Sequence, residues 1–316
     1  MPTAAILGTA GYTGQETLDR LLGHPSIEVA ALGSDSRAGT PAQSLDPRLN
    51  GSLPEFVANA TAAASGADVL FLCLGHDEAA AFEPPAEGVV VDLSGAHRLR
   101  DPATAERWYG IAPGAWSYGL PEISPPEGRL IANPGCHATA ALLALWPLRT
   151  ELEGSVIVDS KTGMTGAGRG LKDSTHAGFV LENLSPYAVE GHRHTPEIEQ
   201  LLDHEVTFVP HLLPVRRGLL VTCYVEVRGD ARALLEAAYA SSPAVRVLPE
   251  RVVPELARVH GTDAAEIGVF ANGEKTIVIC AIDNLGKGAA GQAVQNANLA
   301  LGLPETEGLR LQGVRV

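Results

Sequence analysis

The feature that most constrains this chain stands at its start, where 3-TAAILG-8 runs directly into 8-GTAGYTG-14. A short apolar run ending in glycine reads as a buried strand. The following 13-TGQETLDRLLGHP-25 sets Leu18, Leu21 and Leu22 on one face, an amphipathic helix stopped by Gly23 and Pro25. Strand, tight glycine turn and helix in that order open a βαβ unit, and a parallel sheet must follow. The glycines are spaced G-x-x-G-x-x-G at Gly8, Gly11 and Gly14, unlike the usual G-x-G-x-x-G. Glycines admit a pyrophosphate close to the backbone, and the helix N-terminus offers amides and the positive end of its dipole. Gly8, Thr9, Ala10, Gly11, Tyr12, Thr13 and Gly14 are therefore candidate cofactor-binding residues. A plain strand–helix turn is the other use of such a loop.

The runs 27-IEVAALGS-34, 67-ADVLFLCLG-75 and 88-GVVVDLSG-95 are nearly continuous in apolar residues, as in parallel strands covered on both faces. Alternating with helices, they predict a doubly wound α/β sheet. From about residue 150 strands dominate: 154-GSVIVDSKTG-163, 205-EVTFVPHL-212, 218-GLLVTCYVEV-227 and 276-TIVICAIDN-284. That pattern predicts an α+β domain on a mostly antiparallel sheet. A last helix, 288-GAAGQAVQNANLALGL-303, is placed to return to the first domain. The division expected is a nucleotide-binding domain over 1–136 plus 285–316, and a catalytic, substrate and oligomerisation domain over 137–284. The 316 residues suffice for two cores.

A formal net charge of −14 opposes nucleic acid and anionic membranes as partners. No run approaches the roughly eighteen apolar residues of a membrane span, and the N-terminus lacks the basic and apolar regions of a signal peptide. Cys73, Cys136, Cys223 and Cys280 are widely separated, with no C-x-x-C, and read as reduced thiols. A cytoplasmic protein acting on a small molecule is expected. After the second strand, 33-GSDSRAG-39 offers Ser34, Ser36 and Arg37 to the 2′-phosphate of NADP, whereas Asp35 suits the ribose hydroxyls of NAD. The balance favours NADP.

The second informative stretch is 133-NPGCHATAALLALWPL-148. Pro134 and Gly135 prevent helix before Cys136, so the helix begins at Cys136 or His137, and a thiol there meets the positive end of the dipole, which favours the thiolate. Asn-Pro-Gly also positions amides able to bind an oxyanion. A packed, inert thiol is the alternative, and the ordinary reading for Cys73, Cys223 and Cys280. A cysteine nucleophile needs a proton-handling partner, and the best candidates lie in 191-GHRHTPEIEQLL-202. Thr195 reads as an N-cap and Pro196 as the first helical residue. His192 and His194 then share one face of an extended segment, with Arg193 on the other. The H-x-H pair suggests a metal, but no third ligand of suitable spacing is evident, and none is expected. Anion-binding candidates are Arg98, just past a buried strand, and Arg169, Arg216 and Arg217.

Taken in order, GTAGYTGQE (8–16), DLSGAHRLRD (92–101), YGLPE (118–122), NPGCHATA (133–140), TGAGRG (165–170), HRHTPEI (192–198), PHLLPVRRG (210–218) and DNLGKGAAGQAVQNAN (283–298) span almost the whole chain. The chain resembles the N-acetyl-gamma-glutamyl-phosphate reductase family of arginine biosynthesis, within the aspartate-semialdehyde dehydrogenase-like superfamily. The resemblance implies a Rossmann-like first domain and NADPH-dependent reduction of an acyl phosphate to a semialdehyde through a Cys136 thioester. It places the acid/base role on His194, with His192 second, and NADP contacts on Gly8 to Gly11, Ser34 and Asn284. It implies that a basic residue such as Arg98 guides the leaving phosphate, leaves Arg169 and His192 as substrate-binding candidates, and suggests a homodimer or homotetramer. His137 stands where many relatives have Tyr or Asn. A sister activity, on carrier-protein-linked aminoadipyl phosphate in lysine biosynthesis, shares the GHRHT and G-C-x-A-T-A patterns, whereas PHLLPVRRG and TGAGRG favour the arginine enzyme.

Overall fold

A computed structural model describes residues 1–47, 49, 53–112, 114–170 and 173–313. The chain forms two compact units, one of Met1–Pro134 with Ala289–Leu309, the other from Gly135–Gly288 joined by the chain after Arg310. The expected division at 136/137 and 284/285 thus falls at 134/135 and 288/289. The last described residues rejoin the second unit because Arg310 exchanges backbone bonds with Asp263, its carbonyl accepting from the Asp263 amide at 2.7 Å and its amide donating to the Asp263 carboxylate at 2.9 Å. Residues 314–316, part of the expected first domain, lie outside the described residues.

The first unit is built from β1 (Thr3–Leu7), α1 (Tyr12–Leu21), β2 (Glu28–Gly33), β3 (Phe56–Val57), α2 (Asn59–Ala63), β4 (Val69–Leu72), α3 (His76–Ala80), β5 (Val89–Asp92), α4 (Pro102–Tyr109), β6 (Ser117–Tyr118) and β7 (Leu130–Ala132). Its seven strands pair throughout in parallel, in the order β3-β2-β1-β4-β5-β7-β6. The apolar runs are continuous because both faces are covered. Ala4, Ile6, Val69, Phe71, Val89 and Val91 enter one core with Leu18 and Leu21 of α1, while Ala5, Leu7, Leu70, Leu72 and Val90 enter the other with Ala62 of α2. The helix Gly291–Ala300 closes the first of these cores through Ala293, Val294 and Ala297. β1 lies between β2 and β4, where the strand order reverses, so the glycine turn emerges at the switch point where such sheets bind ligands.

The second unit holds α5 (Cys136–Leu145), β8 (Leu152–Thr162), α6 (Ala177–Val180), β9 (Ser185–Pro186), α7 (Thr195–Leu202), β10 (Val206–Leu212), β11 (Leu219–Val227), α8 (Ala231–Tyr239), β12 (Val245–Val247), α9 (Leu256–Val259), β13 (Ala265–Asn272) and β14 (Lys275–Ile282), after which the chain returns to the first unit as α10, the helix Gly291–Ala300. Its sheet, ordered β12-β13-β14-β11-β8-β10-β9, is mixed and mostly antiparallel; only β12 with β13 and β8 with β10 run parallel. β13 and the short β12 are absent from the sequence reading, because Glu266, Gly268 and Asn272 dilute the apolar pattern of 265-AEIGVFAN-272. α5 is apolar on every side, with nine of its ten residues buried, and packs against β11, β14 and α7. Cys223 and Cys280 lie in the same core with burial pushing their thiols up, and burial takes Cys73 in the first unit up to about 12. These three are inert thiols, as read from sequence. No helix among the described residues is long and apolar enough to cross a membrane.

Gly8 tests the sheet end most directly. It has φ of 75°, and a Cβ there would stand 2.3 Å from the Cys73 carbonyl oxygen. Gly8→Ala should destabilise the protein by more than about 2 kcal/mol, combining left-handed strain with a backbone clash. Denaturant unfolding checks this; a loss below about 0.5 kcal/mol would contradict it.

Candidate active site

In the first unit the glycine turn is wound tightly by its own backbone. The Thr9 amide donates to the Gly33 carbonyl at 2.9 Å, the Thr9 hydroxyl to the Ile6 carbonyl at 2.8 Å, and the Gly11 amide to the Gly8 carbonyl at 3.0 Å. Thr9 is fully buried and works inward, holding the turn. Gly14 is required in α1 because a Cβ there would lie 2.5 Å from the Gly8 carbonyl oxygen. Gly11 caps α1, so the Tyr12 and Thr13 amides lie in a first turn that carries no acidic residue. A left-handed glycine, helix-end amides in a partly buried turn and the absence of a first-turn carboxylate fit the pyrophosphate of a dinucleotide.

The structure resolves the conflict after β2. Asp35 turns to Asn59, one oxygen accepting the backbone amide at 2.8 Å and the other the side-chain amide at 2.9 Å. Asn59 Oδ1 in turn accepts the Gly8 amide at 2.9 Å. The one acid in this turn therefore fastens the sheet end, and Asn59, which sequence reasoning missed, joins it to the glycine turn. Ser34 is buried with its hydroxyl 3.4 Å from that of Ser36, and Arg37 donates through Nη1 to the Ser44 carbonyl at 2.9 Å. Arg98, only 6% exposed, is fixed at the C-terminal edge of the sheet, with Nε donating to the Asn133 carbonyl at 2.8 Å and Nη2 to the Leu93 carbonyl at 2.9 Å.

In the second unit Cys136 is the first residue of α5, half-buried, with Gly135 as N-cap. The Gly135 amide, one of the oxyanion donors expected from sequence, donates at 2.7 Å to Glu197 Oε1. Glu197 is fully buried in the first turn of α7. Nothing in 192-HRHTPE-197 signals this pairing, since it joins residues 62 apart. Gly288 packs on the other side; a Cβ there would lie 2.8 Å from Cys136 Cβ. α7 starts at Thr195 with His194 as N-cap, one residue earlier than the sequence pattern places it.

The two expected histidines meet a third. Ring centroids of His192 and His194 are 4.8 Å apart, and His137 lies 5.5 Å from the first and 5.4 Å from the second. His137 Nδ1 lies 2.7 Å from Ser160 Oγ and its Nε2 lies 3.0 Å from the Tyr187 hydroxyl. His192 Nδ1 accepts the His194 amide at 3.1 Å, which places the proton of neutral His192 on Nε2. Burial lowers His137 to about 3; burial and then Arg193 lower His192 to about 4. Burial and then the charge of Cys136 push the Tyr187 phenol up, with Arg193 opposing, so Tyr187 remains a donor. The three imidazoles bring nitrogens within 4.8 Å of one another, a third ring that spacing along the sequence does not reveal. The hydrogen bonds engage both His137 nitrogens and one of His192 with protein partners.

The remaining candidates are placed otherwise. Arg169 is exposed after the turn at Met164–Ala167. Arg217 pairs with buried Asp283 through Nε at 2.6 Å and Nη2 at 2.9 Å. Asn284 is buried, its Oδ1 accepting the Gly218 amide at 2.7 Å and its Nδ2 donating to Thr165 Oγ1 at 3.0 Å, so it ties two loops of the second unit together.

Residues 3–130 match the model of the semialdehyde dehydrogenase NAD binding domain, and residues 136–284 that of the semialdehyde dehydrogenase dimerisation domain. The chain is 42% identical to the N-acetyl-gamma-glutamyl-phosphate reductase of Salinispora tropica over 326 residues, covering 98% of each chain. It is also 42% identical to that of Pelotomaculum thermopropionicum over 347 residues, again covering 98% of each. The chain belongs to the N-acetyl-gamma-glutamyl-phosphate reductase family. Among solved structures, the fold is similar to aspartate semialdehyde dehydrogenase II of Vibrio cholerae, with TM-score 0.76 and 20% identity over 96% of this chain and 98% of that one. Cys136 and the three histidines lie in the stretch matched as the dimerisation domain, and the glycine turn in the stretch matched as the NAD binding domain.

Two outcomes follow from this geometry. Asn59→Ala removes the acceptor of the Gly8 amide and the side-chain donor to Asp35, leaving only the backbone amide of residue 59 on that carboxylate; NADPH affinity, measured by fluorescence titration, should fall about tenfold while far-ultraviolet circular dichroism is retained. Second, His137 and His192 are held neutral in the fold below their unfolded value of about 6.5. Their contribution to stability is full above that value and is lost as pH falls toward 3–4. Chemical unfolding from pH 7 to 4.5 should steepen accordingly, and His137→Gln should reduce the proton uptake by about one. An unchanged slope in the variant would exclude His137 as a source.

Proposed function

We propose that this protein reduces N-acetyl-gamma-glutamyl phosphate to N-acetylglutamate 5-semialdehyde with NADPH, in arginine biosynthesis. The observation that carries this reading is Cys136 at the N-terminus of a buried helix whose next residue, His137, meets the rings of His192 and His194, in a chain of that family. The Cys136 thiolate attacks the acyl carbonyl; a C–S bond forms, the C–O bond to phosphate breaks, and inorganic phosphate leaves with the bonding pair. Arg98 is the cation assigned to the phosphate, with Arg169 and His192 the remaining substrate contacts. The thioester divides one difficult reduction into two steps. When bound, the reduced nicotinamide supplies the hydride that brings the acyl group to the aldehyde level. His194 accepts the thiol proton in the first half; in the second it lends that proton to the substrate oxygen and takes it back as the carbonyl re-forms, the C–S bond breaks and the sulfur leaves with the bonding pair as the restored thiolate. Neutral His192 donates a hydrogen bond through Nε2 to the substrate.

NADPH binding is assigned to Gly8 through Gly14, with the 2′-phosphate at Ser34, Ser36 and Arg37; the engagement of Asp35 by Asn59 supports NADP over NAD. Thr9 acts by shaping the turn, and Asn284 by positioning Gly218 and Thr165. A homodimer or homotetramer in the cytoplasm completes the reading, supported by the dimerisation-domain match.

Cys136→Ser should lower turnover at least about a thousandfold with NADPH binding retained. Without cofactor, wild-type protein mixed with the acyl phosphate should release at most one phosphate per subunit and retain the acyl group on Cys136. Continuous phosphate release with no change in nicotinamide absorbance would identify a hydrolase instead, and preference for a carrier-protein-linked aminoadipyl phosphate would move the enzyme to the lysine pathway.

A further inference from the structure

His137 holds no role in the reaction as set out above, yet it is the most completely engaged side chain of the imidazole cluster. It is 3% exposed and follows Cys136 directly in α5. One ring nitrogen meets Ser160 in the core strand β8 at 2.7 Å; the opposite one meets the Tyr187 hydroxyl at 3.0 Å. Its ring also contacts Phe208 of β10 at 5.5 Å, besides His192 and His194. Tyr187 follows β9, and its amide donates to the Pro210 carbonyl at 3.0 Å. From there residues 188–191 are exposed and outside any helix or strand until α7. The next inward-facing side chains of this segment are His192 and His194. A bridge between two hydroxyls on opposite sides needs a rigid, uncharged ring with a hydrogen-bonding atom at each end, which only imidazole provides.

We propose that His137 is a positioning residue: its bonds to Ser160 and Tyr187 hold the segment carrying His192 and His194 in register with the Cys136 end of α5. The proposal rests on the roles assigned to Cys136 and His194. Burial keeps His137 neutral, so the tie carries no charge of its own into the cluster, where Arg193 acts on His192 and Glu197 holds the Gly135 amide.

The test uses His137→Phe, Tyr187→Phe and the double variant of the full chain. Amide hydrogen exchange over 187–194 should rise about tenfold in each, with β8 and the body of α5 unchanged. Turnover should fall about ten- to hundredfold with KM within about threefold. The pH midpoint of Cys136 alkylation by iodoacetamide should move by about half a unit or more. The double variant should be no worse than the more impaired single one, because both remove the same tie. Unchanged exchange and alkylation in Tyr187→Phe, or additive losses, would overturn the proposal. Tyr187→Phe deletes one oxygen and decides the matter by itself if His137→Phe does not fold. Exchange and alkylation need no acyl phosphate, so a wild-type protein without reductase turnover would defeat the proposed reaction while leaving this tie separately judged.

Discussion

The second unit depends on the complete burial of α5. A helix that is apolar on all sides is stable only when surrounded, and β11, β14 and α7 supply that enclosure. Burying its side chains supplies roughly 1.5–3 kcal/mol for each large apolar residue, and in return the helix axis is fixed. Its N-terminus, and with it Cys136, is thereby held at a defined place. The same burial deprives the helix end of water, so its amides must find protein partners. Glu197 meets that need at Gly135, which draws the start of α7, and hence the H-R-H segment, onto the helix that begins at Cys136. Packing thus brings the chemistry together.

Electrostatics then sort the groups. The cluster around His137 is dry enough that His137 and His192 remain neutral and Tyr187 keeps its proton. In neutral His192 the His194 amide fixes the tautomer, so Nε2 is a defined donor to a substrate or neighbour. Three imidazoles meet in one place, with nitrogens bonded to Ser160, Tyr187 and the His194 amide.

In the first unit the corresponding constraint is the coverage of the parallel sheet on both faces. It leaves only the strand ends open to a ligand, and glycine is needed where β1 turns because any Cβ at Gly8 would strike the end of β4. Asn59 binds Gly8 and Asp35 together across this edge. An acidic residue that in sequence argues against NADP is in the fold a fastener of the sheet end, and its charge is directed at amides rather than at a ribose.

The sequence by itself determined the near-continuous apolar runs, hence the parallel sheet, the change to a mostly antiparallel sheet near residue 150, the glycine turn before α1 and the cysteine at the start of α5. These are local: spacing, turn chemistry and helix stops fix them within a few residues. Strands such as β12 and β13 escaped because their residues carry little periodic signal and acquire strand geometry by pairing, β13 with β14 and β12 with β13. Only the tertiary structure decided that His137 faces Ser160 and Tyr187, that Glu197 takes the Gly135 amide, that Asp35 belongs to Asn59, and that Arg217 and Asn284 serve the frame of the second unit. Each of these joins residues from 23 to 66 positions apart. A polar side chain's partner across such distances is set by which elements pack together and which groups lose water when they do, and no local pattern encodes that.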